Sequence, residues 1–204
     1  MTPAPEGGSS APGEQRDAVL EVARRYLRGV DPVIARLIEE LPDFEPQAWL
    51  RELPPMDLFG ALLFQVVGQQ LSVAATRRTI ARIEAMFDGR LPSPAALVEA
   101  DPAALRSAGL SWRKVATLRD LGARFLAGEF SSEELSTLSD EELIAALTVV
   151  PGIGPWTVQG ALIIALQRQD VVLPGDLALR KAIQRAYGLP RPPSSDEVLS
   201  IAEK

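Results

Sequence analysis

The chain has 204 residues, 47% of them apolar, and a formal net charge of −6; that is enough apolar chain to bury the core of one domain or of two small ones. It contains no cysteine and no histidine, which excludes disulfides, zinc–thiolate sites, iron–sulfur clusters and catalysis by either residue. The acidic balance argues against a large electrostatic footprint on nucleic acid but not against a small one, because backbone N–H groups add nothing to net charge.

Residues 1–16 are rich in Pro, Gly and Ser and lack the charged start and apolar core of a signal peptide, so a disordered tail is expected. No apolar run reaches the ~18 residues of a membrane helix, so a cytoplasmic protein with no membrane partner is expected. From Gln15 onward the periodicity is helical: Val19, Leu20, Ala23, Tyr26 and Leu27 share one face. Asp31 as N-cap and Pro32 at the first position open a second helix that runs to Leu41. Residues 43–55, with three prolines, form a linker. Asp57 to Val67 is apolar nearly all round and predicts a buried central helix. Gly68-Gln-Gln-Leu71 breaks it, and Ser72 caps a helix that ends near Phe87.

Ser93 and Asp101 begin two short helices, and Ser111 begins a long one ending at Gly128. Ser139-Asp-Glu-Glu142 is a capping box for the helix that leads into Pro151-Gly-Ile-Gly154. A helix to about Gln167 follows, then a loop to Pro174 and a helix from about Asp176 to Tyr187, with Gly188 as its C-cap. Ser195 caps a last helix that is still amphipathic at Lys204, so a further C-terminal segment is expected. With no alternating strand anywhere, the sequence predicts an all-α fold.

Pro151-Gly-Ile-Gly154 cannot continue a helix, because Pro151 lacks a donor and Gly152 and Gly154 can take positive φ. The helix restarts at Pro155 with unpartnered N–H groups. This is either an ordinary αα-hairpin turn or a phosphate cradle. Asp176 fits an N-cap, but also a fixed anion that stabilises an oxocarbenium-like state and orients water during glycosidic cleavage. Trp156 is a core side chain or a stacking face for an extruded base, and Trp49 and Trp112 are weaker candidates for the same pocket. Gln69-Gln70-Leu71 is a helix corner or a wedge that fills the gap left by a flipped nucleotide. Arg77, Arg78, Arg82, Arg113 and Lys114 are solvated charges or phosphate contacts.

Together, the hairpin, Trp156 and Asp176 resemble the helix-hairpin-helix (HhH-GPD) base-excision DNA glycosylase superfamily. Pro151-Gly-Ile-Gly-Pro-Trp-Thr157, Asp170-Val-Val-Leu-Pro-Gly-Asp176 and Gly68-Gln-Gln-Leu-Ser-Val-Ala74 are similar to its AlkA-like branch, 3-methyladenine DNA glycosylase II. The similarity spans roughly residues 30–204. It implies two helical subdomains around a lesion-binding cleft, one of residues 17–55 with 170–204 and one of 56–169. The second contains the helix-hairpin-helix at about 143–167, and the chain has no room for the N-terminal β domain of larger members.

The resemblance also implies roles. Asp176 is the catalytic aspartate, Trp156 stacks on the base, and the amides of Gly152, Gly154 and Thr157 hold phosphate. Gln70 or Leu71 is the wedge. The carbonyls of Thr148, Val150 and Ile153 hold a structural Na+ or K+, and no other cofactor is needed. Gly160 replaces an aromatic one turn beyond Trp156, which suggests a wider pocket. Relatives that also nick the strand carry a lysine where Trp156 stands, so the implied enzyme is monofunctional. It would be a monomer acting on damaged double-stranded DNA, releasing alkylated bases of the 3-methyladenine and 7-methylguanine class in base excision repair. The alternatives are a glycosylase for deaminated or otherwise damaged bases, a non-catalytic helix-hairpin-helix DNA-binding module, and a helical interaction domain that binds no DNA.

Overall fold

The computed structural model describes the backbone of residues 12–46 and 48–204. Its regular structure there is helical throughout: α1 (Pro12–Val30), α2 (Pro32–Glu40), a 3-10 turn (Ala48–Glu52), α3 (Leu58–Gly68), α4 (Val73–Met86), α5 (Pro94–Glu99), α6 (Pro102–Ser107), α7 (Trp112–Leu126), α8 (Ser132–Ser136), α9 (Asp140–Leu147), α10 (Pro155–Ile164), α11 (Leu177–Tyr187) and α12 (Ser195–Ala202).

The starts of these helices follow from capping chemistry. The Asp31 carboxylate accepts from the N–H groups of Val33 and Ile34, and Pro32 occupies the first helical position, where its missing donor costs nothing. Asp57, Ser72, Ser93, Asp101 and Ser111 each accept from an N–H in the first turn of α3, α4, α5, α6 and α7. Such caps contribute about 0.5–2 kcal/mol each. Ser139 and Glu142 close a capping box on α9.

Three expectations are corrected. The expected tail of residues 1–16 lies partly outside the described residues, and 12–16 belong to α1. Pro12 suits the first turn of a helix, and Glu14, Gln15 and Arg16 are good helix formers. The cap of α12 is Ser194, not Ser195. Glu197 stands three residues after Ser194 and completes a box, whereas Ser195 has the apolar Val198 at that distance. Helix α8 went unpredicted because its five residues carry one apolar side chain, Leu135, too few to show a period.

The chain divides into two compact units. One is Trp49–Asp176, built on α3, whose residues from Leu58 to Val67 are buried on almost every side. Leu62, Leu63 and Val66 have no exposed surface, and full burial of such a side chain stabilises by about 1.5–3 kcal/mol. Helix α3 packs on α4, α7 and α10, α5 packs on α7, and α9 packs on α10. The other unit combines the chain up to Ala48 with Leu177–Lys204. In it α1 packs on α2, and Tyr187 of α11 donates to the buried carboxylate of Asp31 at 2.8 Å. Residues 49–55 and 170–176, expected in the first subdomain, thus fall in the second. Two side-chain bonds tie them there: Glu52 pairs with Arg77 at 2.6 Å and Asp176 accepts from Trp156.

Candidate active site

Helix α9 ends at Leu147 and α10 starts at Pro155, and the turn between them is built around Gly152. Its φ is +94°, and a Cβ there would stand 2.2 Å from Thr117 Oγ1, so only glycine fits. Gly154 differs from expectation: its backbone is extended (φ −112°, ψ 174°). Its glycine identity serves space instead, since no protein atom lies within 4 Å of where its Cβ would be. The front of α10 is therefore open. Neither the Gly152 nor the Gly154 N–H is used by another backbone carbonyl among the described residues.

Two side chains fasten this turn, and a third braces one of them. Thr117 Oγ1 donates to the Pro151 carbonyl at 2.7 Å. Gln69 Nε2 donates to the Gly152 carbonyl and to Thr157 Oγ1, both at 3.0 Å. Lys114 Nζ in turn donates to the carbonyls of Val67 and Gln69 at 2.7 and 2.8 Å, oxygens that the C-terminal end of α3 leaves without helical partners. Burial holds the Lys114 ammonium below the usual lysine range. Lys114 is thus a fastening of the α3–α4 corner, a role that neither the solvated charge nor the phosphate contact considered from sequence describes. The role of Gln69 was missed, and its only sequence signal is its place beside Gln70 and Leu71.

Thr157 is 2% exposed. Its hydroxyl is held by Gln69, and its N–H lies 2.9 Å from the Gly154 carbonyl. That N–H can serve an anion only as a shared, three-centre donor, an arrangement common at helix termini. Val150 O accepts from Ile153 N at 3.0 Å, which leaves it one lone pair. Thr148, the C-cap of α9, presents its carbonyl at a helix end.

The turn also brings Trp156 to Asp176. The indole Nε1–H of Trp156, at the second position of α10, donates to Asp176 Oδ2 at 2.9 Å. Asp176 N donates to the Leu173 carbonyl at 3.0 Å, so a tight turn delivers the half-buried carboxylate immediately before α11.

Gln70 stands at the α3–α4 corner with φ +59° and is exposed, and Leu71 beside it is 41% exposed. Of the basic residues, Arg77 is paired with Glu52 and Arg82 donates to the Ala108 carbonyl at 2.9 Å, while Arg78 and Arg113 are exposed. Trp49 and Trp112 are exposed as well. The wider pocket expected beside Gly160 is corrected: a Cβ on Gly160 would meet Gln65 Nε2 at 2.2 Å, so the carboxamide of Gln65 takes up that space. Among the described residues no cluster of three or more His, Cys, Asp or Glu could hold a metal ion, and no helix is long and apolar enough to cross a membrane.

The chain that carries this fastened glycine turn, with a carboxylate held beside it, is similar to known proteins. Residues 64–204 match the HhH-GPD superfamily base excision DNA repair protein family, and the chain belongs to that family. It is 31% identical over 186 residues to DNA-3-methyladenine glycosylase 1 of Schizosaccharomyces pombe, covering 90% of this chain and 80% of the relative. It is 28% identical to DNA-3-methyladenine glycosylase 2 of Escherichia coli, of which it spans 47%. Among solved structures, the S. pombe 3-methyladenine DNA glycosylase in complex with abasic DNA superposes with a TM-score of 0.81 over 89% of this chain and 87% of the other. The 3-methyladenine DNA glycosylase of Archaeoglobus fulgidus superposes with a TM-score of 0.71 at 27% identity, over 90% of this chain and 63% of that one.

Proposed function

We propose that the chain is a monofunctional DNA glycosylase that hydrolyses the N-glycosidic bond of alkylated bases, of the 3-methyladenine and 7-methylguanine class, in base excision repair. The observation that carries this reading is the hydrogen bond from Trp156 to Asp176 in a family of base excision repair proteins. An indole N–H donates and cannot accept, so it fixes one oxygen of the carboxylate and with it the orientation of the group. As the bond from the sugar to the base breaks, positive charge develops on the sugar, and the Asp176 carboxylate stabilises it. The base of an alkylated nucleotide is already cationic and leaves as a neutral molecule with the bonding electron pair. It needs no proton donor, which suits a chain without histidine. Water then adds to the sugar and loses its proton to Asp176. The face of Trp156 offers a π surface to the cationic base.

The Gly152 and Gly154 amides hold a backbone phosphate, with Thr157 N–H as a shared donor, while Gln70 or Leu71 fills the gap left in the duplex. Strand cleavage through a Schiff base needs a primary amine, and the side chain bonded to Asp176 is an indole without a free lone pair. Release without nicking is therefore the reading we adopt.

The carbonyls of Thr148, Val150 and Ile153 fit a Na+ or K+, being neutral oxygen donors at the end of α9, where the helix dipole favours a cation. Such an ion would supply positive charge facing the phosphate.

The test is release of free bases from methylated duplex DNA by the wild type and Asp176→Asn. Loss of one preorganised charge lowers the rate by about 10²–10³, with affinity for abasic DNA retained and no strand scission in either protein. An Asp176→Asn protein with the wild-type rate would sink the mechanism.

A further inference from the structure

Gln65 is the one polar side chain within α3 (Leu58–Gly68), a helix otherwise devoted to the core. Its carboxamide makes no hydrogen bond to the described residues, and no buried polar atom among them lacks a partner, so its polar end is open to solvent. Yet it does not project from a free surface. A Cβ on Gly160 would stand 2.2 Å from Gln65 Nε2, 2.4 Å from Cδ and 2.9 Å from Oε1. The carboxamide rests against the backbone of α10, in the gap that the missing Gly160 side chain leaves.

That gap has a definite neighbourhood. Gly160 follows Trp156 by four residues and so shares its helix face. Gln69 follows Gln65 by four, as the C-cap of α3, and reaches Gly152 and Thr157. The side of α3 that bears Gln65, with Gln69 at its end, therefore runs along the face of α10 that bears Trp156, Thr157 and Gly160. A carboxamide that faces solvent there keeps a donor and an acceptor ready for a partner. The place where it waits is one turn from the aromatic that holds Asp176.

We infer that Gln65 is a specificity-determining residue of the glycosylase site, reading the edge of the base held against Trp156 and favouring alkylated adenine over alkylated guanine. The inference rests on the glycosylase reading above. A carboxamide offers one donor and one acceptor, and it pairs in two-point fashion with the N6 amino group and N7 of adenine. Methylation at N3 leaves both groups intact. On 7-methylguanine the methyl group covers N7, and that edge offers only the O6 acceptor, so one of the two bonds is lost.

One reaction tests this. Duplex DNA treated with a methylating agent yields both lesions, and the released 3-methyladenine and 7-methylguanine are quantified together for wild type, Gln65→Met and Gly160→Ala. Methionine keeps the length and packing of Gln65 without its polar groups. Alanine at 160 pushes the flexible carboxamide away while leaving its chemistry intact. Both variants are expected to lower 3-methyladenine release by roughly 10- to 100-fold and 7-methylguanine release by less than about threefold, with wild-type melting temperatures. An active wild type whose ratio of the two bases is unmoved in Gln65→Met, or that loses both equally, overturns this assignment alone. A wild type that releases neither base overturns the glycosylase reading and this assignment with it.

Discussion

The indole Nε1 of Trp156 lies 2.9 Å from Oδ2 of Asp176, across 20 residues of sequence. One residue is the second of the helix after the glycine turn and the other stands immediately before α11, so the pair links the turn to the carboxylate. Because the indole can only donate, the bond fixes which oxygen of Asp176 faces away from it.

Trp156→Phe keeps an aromatic face and deletes the donor. A hydrogen bond to a charged group is worth about 1.5–3 kcal/mol, so base release under single-turnover conditions should slow roughly 10- to 100-fold. Affinity for abasic DNA should stay near the wild-type value. An unchanged rate would mean that the indole N–H has no part in orienting Asp176.

The two glycines of the turn should respond differently to alanine. Gly152→Ala forces a Cβ into positive φ and against Thr117, and the left-handed conformation alone costs about 1–2 kcal/mol; thermal unfolding should move down by several degrees. Gly154→Ala meets neither obstacle and should melt like the wild type. It should nonetheless bind duplex DNA more weakly, because its methyl group occupies the space in front of α10.

Gln69→Met removes the donor that spans Gly152 O and Thr157 Oγ1. Leaving partly buried acceptors unpaired costs about 1–3 kcal/mol. Amide hydrogen exchange across residues 150–157 should accelerate, while exchange in α5 stays as it was. Equal protection in both proteins would show that Gln69 is dispensable for the turn.

Stability should fall at both extremes of pH because of Asp31 and Tyr187. Burial works to raise the Asp31 carboxyl, but the hydrogen bonds from Tyr187 and from the Ile34 and Val33 amides, with the charge of Lys204, hold it below its ordinary 3.8. Its stabilisation is present above about pH 4 and is lost as pH falls through the folded value. Tyr187 is pushed up to about 12 by burial and by its bond to Asp31. Its contribution is complete below about pH 10 and disappears as pH rises through 12. Melting temperatures of wild type and Tyr187→Phe across pH 3–12 check both, since the variant should lack the alkaline step.

Most helix starts were legible because Asp31, Asp57, Ser72, Ser111 and Ser139 are local signals, each settled within three or four residues. The Trp156–Asp176 bond was not legible, because it depends on how residues 165–176 fold back, and no short-range pattern encodes that path. Lys114 misled for a related reason. A lysine on a helix reads as a solvated charge, but its apolar stem allows burial and its ammonium found carbonyls at the end of another helix. Gly160 was legible as a missing side chain, while the residue that fills the space, Gln65, lies on a helix 95 positions earlier (160 minus 65). Ser194 and Ser195 both preceded an amphipathic run, and only the spacing to Glu197 separates them.

The fastenings of the glycine turn by Thr117 and Gln69 share a polarity, since on its backbone they grip carbonyl oxygens, those of Pro151 and Gly152. Those two acceptors are thereby engaged, while the N–H groups of Gly152 and Gly154 are used by no backbone carbonyl among the described residues. In the proposed role the turn's own donors to the phosphate are backbone amides without formal charge, set in a protein of net charge −6. A phosphate held this way displaces few of the counterions condensed on DNA compared with one held by lysine or arginine. The enzyme should therefore keep its grip on DNA as ionic strength rises, with a shallow dependence of affinity on salt, and it should gain little from long-range attraction when it searches undamaged duplex.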